Sequence, residues 1–351
     1  MSMRVTNRAS TRNYLRYLNN ALYNQQNTMG QVQSGYRFRK ISDNVSNGMK
    51  NMRTKAEMYK TNIYKDNVDS IKDKLDTVDT TMDSIYGIFT NLGTMINKAV
   101  SDTSAPERGV YAQASESAQS QVLQLLNTQY DNQYLFGGSN NYTAPFTQDA
   151  KTGELLYNHV PVDQIQQRDD GSYYYKDAKN GGQVTDVPMN EKVYMDIGLG
   201  LRMSGPNVDP SSGFDVTYSG PDMLGFGKDK DGQTNNIFNV INDLTTTLKS
   251  SPGVPSSAEG THLSELGKKL QDMSKSFMTQ RTQVGAKANF LGTLSDRLNS
   301  TADMLNQRMS SLVGTDTAKA STEEATDVSI TNALYRMGSS IIPTSLMDFL
   351  K

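Results

Sequence analysis

Apolar residues recur every seventh position over much of this chain. The longest register runs Leu263, Leu270, Phe277, Val284, Leu291, Leu298, Leu305 and Leu312. At a hydrophobic content of 36%, one such run of eight has a chance of roughly three in ten thousand. The companion positions are mixed: Leu266, Met273 and Leu294 are apolar, whereas Gln280, Lys287, Thr301 and Arg308 are not. A seven-residue repeat places one stripe along one side of a helix. Fifty residues of helix make a rod of about 75 Å, which cannot bury its stripe on itself. A second seam is cleaner. Ile71, Val78, Ile85, Leu92 and Ala99 form one column and Leu75, Met82, Phe89 and Ile96 the other. From Tyr64 to Ala99 it spans about 54 Å. The two seams are therefore expected to pack on each other. Their core is expected to be Ile71, Leu75, Val78, Met82, Ile85, Phe89, Leu92 and Ile96 against Leu263, Leu270, Phe277, Val284, Leu291, Leu298 and Leu305.

The two ends carry further helical patterns. Arg4, Arg8, Arg12 and Arg16 share one face, spaced by four. Another face carries Leu15, Leu18, Leu22, Met29 and Val32, which predicts an amphipathic helix of about 25–30 residues. The cluster Ser34-Gly-Tyr ends it. Residues 1–42 contain no Asp or Glu. Three functions fit an acid-free amphipathic start: a transit peptide, a nucleic-acid arm, or a helix awaiting a protein partner. The heptad spacing and the many Asn and Gln residues fit the first poorly. Seven charges over 42 residues fit the second poorly. An ordinary solvated helix face is the plain alternative. At the other end, Thr317 to Lys351 predicts a last helix with Ala325, Val328, Tyr335 and Ile342 available for one stripe. This end is mildly acidic, against the basic start.

Between the helical arms the pattern changes. Residues 141–234 hold 12 of the 27 glycines and 6 of the 10 prolines. Alternation replaces the helical period at Val193, Met195, Ile197, Leu199, Leu201 and Met203, at Phe214, Val216 and Tyr218, and at Tyr173 and Tyr175. This predicts a small inserted β domain. Ahead of it, a helix is expected from about Pro106, capped by Ser104 with Glu107, to Leu135, where Gly137-Gly138 ends it. The expected fold is mainly α: an elongated, coiled-coil-like helical bundle built from N- and C-terminal segments, with a small β insertion. The expected division is 1–48 with 314–351 as terminal helices, 49–140 with 235–313 as a helical rod, and 141–234 as the insertion.

Composition narrows the chemistry. The chain has 351 residues, a net charge of −2 and no cysteine. Disulfides and thiol chemistry are excluded. No run of about 18 apolar residues predicts a membrane span, and no cleavable secretory signal is visible. His159 and His262 lack the neighbours of a metal or triad site. Gly198-Leu-Gly200 sits in a strand pattern, with its third glycine too late for a dinucleotide loop. Asp229-Lys-Asp231-Gly232 echoes a calcium loop, but Gly227 and Phe238 stand where ligands are needed, so it reads as a turn. No catalytic, cofactor or metal set is found, and a non-enzyme is expected.

The ends and the insertion resemble the bacterial flagellar axial proteins. Met3-Arg-Val-Thr-Asn7, Ser34-Gly-Tyr-Arg37 and Ile41-Ser-Asp-Asn44 are similar to the start of the flagellin and hook-associated group. Gln133-Tyr-Leu-Phe-Gly-Gly138 is similar to a signature at the entrance of the β domain. Ile342-Pro-Thr-Ser-Leu-Met-Asp-Phe-Leu350 resembles the ending of the hook-associated protein 3 family, the hook–filament junction group. Val45 departs from the proline that family carries in its Pro-Ser-Asp-Asp-Pro loop. The resemblance implies a structural, self-assembling subunit with hook-associated protein 1, flagellin and an export chaperone as partners. It implies no nucleic acid, membrane or cofactor, and export to the extracellular flagellum without a cleaved signal. It also implies terminal helices that order on assembly. The assembly interface is expected at Leu15, Leu18, Leu22, Met29, Val328, Tyr335, Ile342, Leu346 and Phe349. Flagellin is the alternative reading, and a nucleic-acid-binding coiled coil a more distant one.

Overall fold

The computed structural model describes residues 7–38, 40–100, 107–177, 182–189, 191–250 and 257–341. Among the described residues, seven α-helices carry most of the chain: α1 Asn7–Ser34, α2 Val45–Val100, α3 Arg108–Leu126, α4 Gly220–Leu224, α5 Ile237–Ser250, α6 Ser257–Val313 and α7 Thr317–Ile341. Among the described residues, twelve short strands lie between α3 and α4: β1 Gln129–Tyr130, β2 Gln133–Tyr134, β3 Phe146–Gln148, β4 Leu155–Tyr157, β5 Val160–Pro161, β6 Ile165–Gln167, β7 Tyr173–Asp177, β8 Gln183–Val187, β9 Tyr194–Met195, β10 Met203–Ser204, β11 Asn207–Val208 and β12 Phe214–Asp215. They form small antiparallel sheets, ordered β3-β4-β5 and β6-β7-β8, with the two-stranded pairs β1-β2, β10-β11 and β9-β12. The fold is mainly α with a β insertion. The chain divides into two compact units. One joins residues 1–62 to 299–351, and the other is Ile63–Leu298.

In the Ile63–Leu298 unit, α2 and α6 run antiparallel. The contacts fix the register, because the partner's number falls as the α2 number rises. Asp69 accepts from the Ser295 hydroxyl at 2.8 Å. Asp79 receives Arg281 through two nitrogens at 2.9 and 3.2 Å, and Arg281 reaches Asp83 as well. Phe89 meets the Phe277 ring edge-on at 5.4 Å. A Cβ on Gly267 would stand 2.9 Å from Ile96 Cγ2, so glycine lets the helices close there. Ile71, Leu75, Val78, Met82, Ile85, Phe89, Leu92 and Ile96 are buried in one cluster with Leu263, Leu270, Phe277, Val284 and Leu291, and Leu298 packs at its edge. Each fully buried side chain of this size contributes about 1.5–3 kcal/mol. Lys287, one of the polar companions, lies over the Phe214 and Tyr218 rings at 5.8 and 5.1 Å. Burial there lowers its pKa.

The insertion shares that core through α3 and α5, which pack on each other. The Ser115 and Thr245 hydroxyls bond at 2.8 Å inside this pair. Asn236 starts α5, its carboxamide oxygen accepting from Phe238 N at 3.1 Å and Asn239 N at 3.2 Å, an N-cap. Asn239 in turn accepts from Leu155 N at 2.8 Å, tying α5 to β4. Asn127, just past α3, bonds both backbone groups of Phe146, at 2.9 and 3.2 Å.

Three local expectations are corrected. Helix α3 ends at Leu126, not near Leu135. Asp131 and Asn132 both adopt positive φ, 50° and 58°, and turn the chain into the β1-β2 hairpin. The alternating run from Val193 to Met203 is not one strand. Gly198 and Gly200 adopt φ of 94° and 77° and break it, burying Ile197 and leaving Leu199, Leu201 and Met203 exposed. Helix α2 begins at Val45, four residues ahead of the expected rod boundary at 49. Residues 104 and 106, the expected cap and helix start before α3, lie outside the described residues.

The Gly137-Gly138 pair has a packing reason. Leu135 and Phe136 are buried. Gly138 has φ of 68° and its N–H bonds Tyr218 O at 3.1 Å, while Phe136 O accepts from Gly220 N at 3.0 Å. The Tyr157 hydroxyl donates to Gly137 O at 2.9 Å, and its burial pushes its pKa up to about 12. A Cβ on Gly138 would stand 3.0 Å from the Tyr157 hydroxyl, and one on Gly137 would strike the backbone carbonyl of Asn140.

Candidate assembly interface

The other unit brings the chain's two ends together. Helices α1 and α7 pack side by side. The residues buried between them are small or polar. Tyr14, Ala21 and Thr28 repeat every seven positions on α1, and Ala320, Thr331 and Gly338 are buried on α7. Thr28 Oγ1 donates to Asp327 Oδ2 at 3.0 Å. Gly338 lies against the Tyr14 hydroxyl with no space for a Cβ. A backbone clasp closes the pair at its loop end. Arg37 N donates to Val313 O at 2.8 Å and Thr315 N to Gly35 O at 2.9 Å, around the bridge of Tyr36 with Gly314. Gly35, at φ 70°, makes the turn out of α1 that this clasp needs.

The expected leucine stripe sits one residue further round α1 and faces outward. Leu15 and Met29 are 48% and 45% exposed, and Leu18 and Leu22 are half-buried. On α7, Val328 is half-buried and Tyr335 is 52% exposed. Ile330 and Met337 are exposed as well. Ile342, Leu346 and Phe349 lie outside the described residues. So the structure seats Tyr14, Ala21 and Thr28 in the intrachain seam and leaves Leu15 and Met29 nearly half exposed. Fully burying a leucine-sized side chain is worth about 1.5–3 kcal/mol, and only part of that gain is realised at these two positions.

A second apolar face, not singled out from the sequence, lies on the first turns of α2. Val45, Met49, Met52 and Tyr59 are each at least half exposed, with Ala56 between them. The buried side of the same stretch is Gly48, Thr54 and Thr61. Their four-and-three spacing was present in the sequence. In the same unit Leu305 and Val313 of α6 are buried.

The remaining chemistry is sparse. Among the described residues no cluster of three or more His, Cys, Asp or Glu has the placement to hold a metal ion, and no helix is long and apolar enough to cross a membrane. His159 lies in the β4-β5 turn at φ 68°. Asp229 is occupied as a turn organiser. It accepts from Asp231 N at 3.0 Å and Gln233 N at 2.8 Å and pairs with Lys269 at 2.5 Å, which together hold its carboxyl below the usual range.

Paired terminal helices, a long antiparallel helix pair and an inserted set of small sheets make up a fold that recurs in a solved structure. A solved flagellar hook-associated protein from Vibrio parahaemolyticus has it: TM-score 0.57, 14% identity, over 78% of this chain and 100% of that one. Hook-associated protein 3 of Legionella pneumophila aligns at TM-score 0.49 and 16% identity, over 74% of this chain and 98% of that one. FlgL of Xanthomonas campestris aligns at 0.47 and 15%, over 74% and 99%. The fold comparison rests on the first of these. No family model matches the sequence, and no curated protein matches it.

Proposed function

We propose that this chain is a structural subunit of the bacterial flagellum. It forms the junction between hook-associated protein 1 and the flagellin filament, and assembles through its terminal helices. The observation that carries this reading is the α1–α7 pair. It closes on small and polar residues and leaves Leu15 and Met29 nearly half exposed, as a subunit does whose apolar faces are completed by neighbours. The likeness in fold to a hook-associated protein over that protein's whole length supports the same reading. In this reading residues 1–48 and 314–351 are the assembly core, 49–140 with 235–313 the helical stem and 141–234 an insertion. The chain acts outside the cell after export without a cleaved signal, with a chaperone holding its ends beforehand. It does no catalysis.

Truncation tests it. Chains lacking residues 1–32 or 330–351, produced in a strain without the native gene, are expected to fold in the middle yet fail to support filament growth. A doubly truncated chain that restores filaments would refute assembly through the ends.

A further inference from the structure

We propose that a cavity between α2 and the β insertion is a binding site for a small free carboxylate with an apolar body. The cavity has a volume of about 430 Å³, within the range of about 300–1,000 Å³ that small-molecule sites occupy. It lies wholly inside the Ile63–Leu298 unit. Helix α2 supplies Ile71 and Lys74, one turn apart and so on one face. The β1-β2 hairpin supplies Tyr130, Asp131 and Gln133, and β9 supplies Met195. Ile71 and the lining residue Val216 are buried, with Tyr130 and Met195 packed half-buried beside the core. These four give a ligand its apolar contact.

Lys74 sets the chemistry. Its ammonium has three N–H groups, and among the described residues they meet one acceptor, Val216 O at 3.3 Å. Its neighbours on the helix are paired, Lys65 with Asp69 and Lys72 with Asp76, but Lys74 makes no ion pair among the described residues. The carboxylates nearby are taken. Asp215 pairs with Lys192 at 3.3 Å, and Glu191 accepts from the Ser139 hydroxyl at 2.7 Å. Burial lowers the Lys74 pKa, because a charge removed from water without a counter-charge is disfavoured. A carboxylate entering the cavity would supply that counter-charge through charge-assisted hydrogen bonds. Gln133 accepts from Asn141 Nδ2 at 2.8 Å through its carboxamide oxygen, so what it has left to offer is N–H donors. The one carboxylate lining the cavity is Asp131, exposed on the hairpin turn. It opposes an anion weakly, since water screens it. A single amine facing Asp131 and apolar walls suits a monocarboxylate, not a phosphate or a polyanion.

Phenylacetate is the probe. Calorimetric titration of the full chain is expected to show saturable one-site binding with a Kd of ~1 mM or tighter. Benzyl alcohol, which keeps the ring and lacks the charge, is expected to bind about tenfold more weakly or worse. Lys74→Met keeps the stem and removes the charge, and is expected to lower phenylacetate affinity about tenfold or more. Lys72→Met is expected to leave it unchanged. Asp131→Asn is expected to raise it about twofold. A measurement on the unaltered chain stands beside these, whether or not Lys74→Met folds. In brief acetylation with an N-hydroxysuccinimide ester, read by mass spectrometry, phenylacetate is expected to slow the reaction at Lys74 and not at Lys72 or Lys65. Benzyl alcohol binding as tightly as phenylacetate, full affinity in a folded Lys74→Met chain, weaker binding by Asp131→Asn, or no protection of Lys74 would each overturn the proposal. So would protection of Lys74 in isolated flagella that phenylacetate does not reproduce in the free chain, which would place a neighbouring subunit's carboxylate in the cavity. The site does not rest on the assembly reading, and its failure leaves that reading standing.

Discussion

Phe277→Ala probes the packing on which the larger unit depends. The ring is 1% exposed, as is Phe89, its edge-on partner at 5.4 Å. It sits midway along the α2–α6 seam, one turn from the Arg281 ion pairs. Truncating a buried phenylalanine costs about 3–5 kcal/mol, through lost transfer energy and the cavity left behind. The upper half of that range is expected, because the ring pair adds about 0.5–1.5 kcal/mol and two long helices collapse poorly around a gap. Phe290 is the control. It belongs to the same helix and stacks on Phe214 at 6.2 Å, but is half exposed, so Phe290→Ala should cost under about 1 kcal/mol. Urea unfolding of the full chain, followed by far-UV circular dichroism with hydrogen exchange on α2 and α6, measures both. A Phe277→Ala loss below about 1 kcal/mol, or one no larger than that of Phe290→Ala, would refute the claim that this seam carries the unit's stability.

Three further outcomes follow from single contacts. Asn127→Ala removes both bonds to Phe146 and leaves its backbone groups unmet beside a buried ring; a loss of about 1–3 kcal/mol is expected by urea unfolding. Gly138→Ala forces a side chain onto φ 68° against the Tyr157 hydroxyl, and a loss above about 1 kcal/mol is expected by thermal unfolding, where Gly171→Ala at an open turn should lose less. Tyr14→Ala empties the α1–α7 seam beside Gly338, and faster amide exchange is expected in α1 and α7 with no change in α3 or α5.

The helical frame was legible because two long helices that bury one seam impose a seven-residue period. Ile71 through Ile96 and Leu263 through Leu291 carry that period without interruption. Where small residues make the contact, the pattern misleads. In α1 the eye follows Leu15, Leu22 and Met29, yet Tyr14, Ala21 and Thr28 meet α7, since Ala21 and Gly338 allow a closeness that leucine does not. On the first turns of α2 the apolar stripe faces solvent and threonines face inward, so apolar spacing alone does not tell which side packs. In the insertion, alternation at Tyr173 and Tyr175 marked a strand with one face packed, half-buried, against the core. The same alternation from Val193 to Met203 did not, because Gly198 and Gly200 turn the backbone to positive φ. The Asp131-Asn132 hairpin was readable in principle, since both residues tolerate left-handed backbone, but the helical period of α3 continued plausibly into it.

The central claim is one of place as well as shape. Immunogold labelling of a tagged full-length chain on isolated flagella tests it most directly. The account predicts label in a single collar where the hook meets the filament. Label along the whole filament would make the chain a flagellin, and flagella without any label would contradict the account altogether.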